Sequence, residues 1–171
     1  MKKTVFAGFG GQGVLMMGYV FAVAAMNDGK QVTYLPTYGA EMRGGTANCT
    51  VSVSDEEIFS PVASTPDFAV IMNKPSLVKY ENMMKRGATL FLNSSVISQD
   101  LSREGLLDVR IPANDMAREL GSDRVVNMIM LGAFVAQTKL TSLESIMNGL
   151  QEIVKGKSAA VMKLNRKALD R

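Results

Sequence analysis

The sequence has no histidine, no tryptophan and a single cysteine, Cys49, in 171 residues. Without histidine, a Ser-His-Asp triad, a Cys-His pair and imidazole acid–base chemistry are all excluded within this chain. One cysteine cannot build a disulfide framework or a cysteine-held zinc or iron–sulfur centre. A metal site would need carboxylates alone, and no spacing of Asp and Glu suggests one. Long hydrophobic runs are also missing. No charged residue occurs from Thr4 through Asn27, but four glycines break that stretch in its first half. The apolar remainder, Val14 to Met26, falls short of the roughly 20 residues that a membrane span needs. Lys2-Lys3 ahead of it and Ala22-Val23-Ala24 within it mimic a signal peptide. The glycine cluster argues against that, and the expectation is a cytoplasmic protein with no membrane association. Aromatics are scarce at 6%, and none falls in the stretch from Lys155 onward.

What is present fits a folded globular chain. Apolar residues make up 47% and charged residues 20%, above the hydrophobicity and below the charge of disordered chains. The length suits one domain over residues 1–171. Lys155, Lys157, Lys163, Arg166, Lys167 and Arg171 crowd the last 17 residues against one acid, Asp170. A basic tail fits an acidic ligand or nucleic acid, or simply a solvated or docking helix face. Nucleic-acid binding would favour aromatics interleaved with the cations, and their lack ranks that function last.

Periodicity then orders the elements. Thr4 to Phe9 predicts a buried strand, Gly13 to about Met26 a helix buried on nearly every side, and Gln31 to Leu35 a second strand stopped by Pro36. Strand, glycine turn, helix and strand make a βαβ unit with its two strands parallel. Thr46 to Ser54 predicts a strand, as do Asp67 to Met72, Ala88 to Leu92 and Val109 to Ile111. Helices are expected from Pro75 to about Arg86, Met116 to Leu120, Val125 to Thr138, and after Thr141-Ser142-Leu143-Glu144, which matches a capping box. That helix places Leu143, Ile146, Met147, Leu150, Ile153 and Val154 on one stripe. A last amphipathic helix carries the basic tail. The expected fold is α/β: a three-layer α/β/α, Rossmann-like, mostly parallel sheet with a helical C-terminal part.

Two glycine loops carry the candidate chemistry. Gly8-Phe9-Gly10-Gly11-Gln12-Gly13 contains G-x-G-x-x-G between the first strand and its helix. Glycines let backbone approach a ligand, and a helix N-terminus offers free N–H groups to an anion. Nicotinamide binding also wants an acid at the end of the second strand, and Thr33-Tyr34-Leu35-Pro36 has none. A structural turn, another anionic ligand and a partner surface remain open. The second loop is Tyr38-Gly39-Ala40-Glu41-Met42-Arg43-Gly44-Gly45. Loops at the carboxyl ends of parallel strands line the ligand crevice, so the two should share one edge of the sheet. Arg43 could grip a phosphate or carboxylate, or be satisfied by Glu41 within a self-contained clamp. Cys49, inside a strand, reads as a small core residue.

"GFGGQG" followed by "YGAEMRGGT" resembles the gamma subunit of the 2-oxoacid:ferredoxin oxidoreductases, the enzymes of pyruvate, 2-oxoglutarate, 2-oxoisovalerate and indolepyruvate. Ser60-Pro61 with Asp67, Gly87 before an apolar strand and Asn93, and "NMIMLG" at Asn127 to Gly132 extend the resemblance over most of the chain. One departure is Ala40, where proline is more usual. The resemblance implies oxidative decarboxylation of a 2-oxoacid on thiamine diphosphate, with electrons leaving through iron–sulfur clusters to ferredoxin and the acyl group passing to coenzyme A. It implies alpha and beta partner subunits and a cluster-bearing subunit. Thiamine diphosphate, magnesium and the clusters would lie on those partners, since the G-D-G segment of a thiamine site is missing here. It implies coenzyme A as a possible ligand of this chain, with Gly8, Gly10, Gly11, Gln12, Gly13, Tyr38, Glu41, Arg43, Gly44 and Gly45 as the contacting set and no catalytic residue. Among these, Gly10 to Gly13 would donate backbone N–H groups and Arg43 would supply charge. The substrate expectation is 2-oxoglutarate, then pyruvate. The competing function is a free-standing Rossmann-type nucleotide-binding oxidoreductase, with Glu41, Tyr38 and Lys74 as its only plausible acid–base groups. Thirteen methionines suit either an adaptable interface or ordinary core filling.

Overall fold

The structure is a computed structural model that describes residues 1–37, 46–59, 65–154, 156 and 158–171. Its elements run β1 (Lys2–Phe9), α1 (Val14–Asn27), β2 (Gln31–Thr37), β3 (Thr46–Ser54), β4 (Phe68–Ile71), α2 (Lys74–Glu81), β5 (Thr89–Asn93), β6 (Leu107–Ile111), α3 (Ala113–Glu119), a 3₁₀ turn (Asp123–Val125), α4 (Val126–Thr138), α5 (Leu143–Ile153) and α6 (Ala159–Leu169). The six strands form one sheet in the order β2-β3-β1-β4-β5-β6. From β1 to β6 the ladders are parallel. The fold class expected from the sequence is the one observed.

The central strands alternate within continuous apolar runs, as strands covered on both faces do. Phe6, Val70 and Phe91 face one core with α1, α4 and α5. Val5, Ala7, Ala69, Ile71, Leu90 and Leu92 face the other, with Leu77 and Tyr80 of α2. The first core centres on Phe134 of α4. Its ring lies 5.1–5.9 Å from those of Phe21, Phe6, Phe91 and Phe68, tilted edge-on at 74–84°. Such edge-to-face pairs add to plain burial. Phe134 thereby fixes α4 over β1, β4 and β5.

Several expectations need correction. The βαβ unit is real in direction, but β3 lies between β1 and β2 and runs antiparallel to both. A local pattern shows that a strand exists and does not show where it is inserted. β2 continues through Pro36 to Thr37, with Pro36 opposite Cys49. β2 is an edge strand, where a missing N–H is tolerated. α1 is not covered all round, since Met16, Tyr19 and Met26 are exposed. α2 stops at Glu81, well short of Arg86. Arg103 Nη1 donates to the carbonyls of Glu81, Asn82 and Met84, while the buried Glu81 carboxylate accepts from Ser102 Oγ at 2.9 Å and Arg103 N at 2.9 Å. That arginine terminates the helix by taking its last carbonyls.

The capping box is shifted by one. Ser142, not Thr141, is the N-cap of α5, and its Oγ accepts from Ser145 N at 3.0 Å. Thr141 donates instead to Asp28, and Glu144 pairs with Arg166 at 2.8 Å. The basic tail becomes α6, where Arg166 also pairs with Asp170 and Arg171 with Glu119. Lys155 and Lys157 lie outside the described residues. Cys49 is fully buried beneath Gly18 of α1, its Sγ 3.6 Å from the Val14 carbonyl. Burial pushes its thiol up to about 12, against smaller opposing hydrogen bonds from Gly18 and Tyr34. That thiol is a core group with no thiolate reactivity near neutrality.

Candidate functional site

In an open parallel sheet a ligand crevice forms where the chain switches from one side of the first strand to the other. Here that point lies between β1 and β4. The chain leaves β1 toward β2 and β3, then crosses back to β4, β5 and β6. At the carboxyl ends of β1 and β4 a cleft of about 260 Å³ opens. Gly11, Gln12 and Gly13 line it on one side, with Met72 behind them. Asn114 of α3 and Asp123, Arg124, Val126 and Asn127 at the head of α4 line the other. A second hollow of about 230 Å³ lies on the β3 side of the same turn, lined by Phe9, Gly10, Gly11, Gly13, Val14, Leu15 and Ala47.

Three glycines of the turn do different work. A Cβ on Gly8 would sit 2.6 Å from Gln12 Oε1, 2.8 Å from Met72 Cβ and 2.9 Å from Val14 Cγ1. Gly8 is therefore required for strand–helix packing. Gly11 has φ +91° and nothing near its missing side chain, so its backbone is exposed to the cleft. Gly13, at φ 74° and ψ 20°, is the N-cap residue of α1, with no side-chain cap. A Cβ there would collide with the Asn127 amide. α1 starts with no acidic residue in its first turn, so its positive end is left uncompensated by charge within the helix.

Gln12 is turned inward. Its Oε1 accepts from Phe9 N at 2.7 Å and its Nε2 donates to the Met72 carbonyl at 3.4 Å. The side chain clamps the turn to the end of β4. Asn127 does the same from the opposite wall, its Nδ2 donating to the Gly13 carbonyl at 3.5 Å. Deeper in, Asn93 Nδ2 donates to Asn114 Oδ1 at 2.7 Å. The turn is thus braced from β4 and from α4, and its backbone is presented to the cleft in a fixed shape.

Of the residues singled out in the sequence, Gly8, Gly10, Gly11, Gln12 and Gly13 come together here. Tyr38, Glu41, Arg43, Gly44 and Gly45 lie outside the described residues. The anchors of their loop are described: Thr37 is opposite Asn48, which is also opposite Ala7, and Thr46 is opposite Phe9. Both ends of the second loop therefore spring from the rim that carries the glycine turn. The β2 strand brings no acid to that rim, and β3 separates it from β1. Among the described residues, β2 therefore does not supply the ribose-binding carboxylate that the nicotinamide arrangement needs.

Sequence reasoning missed Arg124, Asn114 and Asp123, which lie about 100 residues or more from the glycine motif. One local signal was available. Arg124 stands just ahead of a long apolar helix, where the helix dipole disfavours a cation. Among the described residues no helix is long and apolar enough to cross a membrane.

The family model described as pyruvate ferredoxin/flavodoxin oxidoreductase matches residues 3–171. Ketoisovalerate oxidoreductase subunit VorA of Methanothermobacter marburgensis is 37% identical over 98% of this chain and 35% of its own length. 2-Oxoglutarate synthase subunit KorC of the same organism is 33% identical over 90% of this chain and 87% of its own. The solved 2-oxoglutarate:ferredoxin oxidoreductase of Magnetococcus marinus, with 2-oxoglutarate, coenzyme A and succinyl-CoA bound, superposes with a TM-score of 0.91 at 26% identity. The match covers 99% of this chain and 30% of that one. The chain thus spans about a third of the VorA relative and of the Magnetococcus chain, and most of KorC.

Proposed function

Since the chain belongs to the pyruvate ferredoxin/flavodoxin oxidoreductase family, we propose that it is the gamma-type subunit, one domain over residues 1–171, of a multi-subunit 2-oxoacid:ferredoxin oxidoreductase. The reaction is oxidative decarboxylation of a 2-oxoacid, 2-oxoglutarate or pyruvate, to the acyl-CoA with electrons passed to ferredoxin. The chain is inactive alone. Alpha and beta subunits and a cluster-bearing subunit supply thiamine diphosphate, magnesium and iron–sulfur chemistry. Its own residues contain no histidine and one buried thiol, so its part is to bind and position. The complex acts in the cytoplasm, apart from membrane and nucleic acid.

The observation that carries this reading is the braced glycine turn at the switch point of the sheet. Its exposed backbone at Gly11, with the free N–H groups at the head of α1, suits an anionic ligand. Coenzyme A is the ligand proposed, in line with the coenzyme A bound in the Magnetococcus enzyme. Gly10, Gly11 and Gly13 offer backbone donors, whereas the Gln12 N–H is held by the Phe9 carbonyl at 3.1 Å and Gln12 serves the turn instead. Tyr38, Glu41, Arg43, Gly44 and Gly45 are proposed as further contacts.

Gentle affinity capture of the tagged chain from its host tests the reading. Two or three co-purifying subunits with thiamine diphosphate and iron are expected, and viologen reduction with a panel of 2-oxoacids then names the substrate. A chain that emerges alone and stable would overturn it. In the assembled enzyme, Gly11→Val should raise the apparent constant for coenzyme A. An unchanged constant in an intact complex removes the turn from the ligand site.

A further inference from the structure

Building on the reading that the cleft takes a phosphorylated ligand, we propose that Arg124 is the cation that grips the ligand's diphosphate, across the cleft from the glycine turn. Arg124 lines the cleft together with Gly11, Gly13 and Asn127. Its backbone N–H donates to Ser122 Oγ at 3.3 Å, but its guanidinium has no hydrogen-bond or ion-pair partner among the described residues. Arg86 also has no such partner among the described residues, but it lies against Gly105 and does not line the cleft. The other described arginines are committed. Arg103 holds three carbonyls, Arg110 holds Asp100 and Asp108, Arg118 holds Asp115, Arg166 holds Glu144 and Asp170, and Arg171 holds Glu119.

The position of Arg124 is electrostatically awkward without an anion, because it precedes the positive end of α4. An anion in the cleft turns that repulsion into attraction on both sides. The planar fork suits two phosphate oxygens at once. Size points to the same part of the ligand. A cleft of about 260 Å³ falls below the range that encloses a whole drug-sized ligand, roughly 300–1,000 Å³, and so takes a diphosphate better than an entire coenzyme. Asn114, whose Oδ1 is occupied by Asn93, keeps its NH₂ as a further donor at the wall. Asp123 lines the same cleft. Its carboxylate makes no ion pair with Arg124 and opposes the ligand's charge.

That opposition gives the test its sign. Binding of coenzyme A, ADP and pantetheine is measured by calorimetry on the full chain with its co-purified partners, for wild type, Arg124→Gln, Arg124→Lys and Asp123→Asn. Melting curves confirm folding, which an exposed Arg124 should not disturb. Arg124→Gln should weaken coenzyme A and ADP about tenfold or more and leave pantetheine alone, since a hydrogen bond to a charged group is lost. Arg124→Lys should recover part of the loss, and Asp123→Asn should tighten the same two ligands. Wild type binding coenzyme A with Arg124→Gln unchanged overturns the role of Arg124 and leaves the proposed function standing. Wild type binding neither coenzyme A nor ADP overturns both.

Discussion

Gly18 gives the sharpest test of how the core beneath the site is packed. A Cβ placed there would come closer than 3.0 Å to Cys49 Sγ, and would lie 3.3 Å from Phe6 Cδ2 and 3.4 Å from Tyr34 Cε2. Carbon contacts settle at about 3.5–4.0 Å, so a methyl group must displace neighbours on β1, β2 and β3 together. Cys49 cannot retreat, because its strand is paired on both sides, with Phe6 and with Pro36. Gly18→Ala gains about 1 kcal/mol of helix propensity, and overpacking of this kind costs about 1–3 kcal/mol. The three-sided crowding places the cost at the upper end, for a net loss of about 1–2 kcal/mol. For a chain of this length that lowers Tm by about 2–8 °C. Cys49→Ala alone should cost about 1 kcal/mol through the small cavity it leaves. In the double variant the new methyl occupies part of that cavity, so the pair should be no less stable than Cys49→Ala, a coupling of about 1–2 kcal/mol. Melts followed by circular dichroism read all four proteins. Losses that simply add, or a Gly18→Ala protein that melts with wild type, would refute the packing argument.

Two further outcomes follow from groups already described. Cys49 titrates near 12 when folded against an ordinary 9.0, so the unfolded chain loses the proton first. Its contribution to stability is intact below about pH 9 and is lost as pH rises toward about 12. Urea melts should therefore show wild type falling faster than Cys49→Ala across that window, and parallel curves would contradict the burial. Ser142→Ala should cost about 1 kcal/mol as the loss of the α5 cap, while Glu144→Ala, which breaks only an exposed pair with Arg166, should cost under about 0.5 kcal/mol. The reverse ranking in thermal melts would return the cap to Thr141.

The sequence made the elements legible where the physics is local. "VFA", "AVI" and "LFL" read as buried strands because a fully covered strand needs only apolar side chains at every position. The glycine turn read correctly as a strand-to-helix junction because the residues demanding it are contiguous. What failed to show was long-range. Nothing in Thr46 to Ser54 says that this strand slips between β1 and β2, since its alternation would look the same at an edge. Pro36 was misread as a stop because its tolerance depends on β2 lying at that edge. The α2 terminus depends on Arg103, some 20 residues away, reaching its carbonyls. The site was half legible for the same reason. Its glycine wall is one motif, whereas Arg124 and Asn127 reach it only through the docking of α4 on Phe134.

The braces on the glycine turn have a consequence for the order in which the chain folds. β2 and β3 close on each other over a short loop, with Thr37 opposite Asn48, and can pair early. The Gln12–Met72 bond joins residues 60 apart and the Asn127–Gly13 bond residues 114 apart. Contacts of that separation form only after the intervening chain has been ordered. An N-terminal fragment carrying the whole glycine motif would therefore lack the cleft, since one wall comes from α4. A molecule that fits the cleft binds only chains whose folding has gone to completion, and by mass action it holds them there.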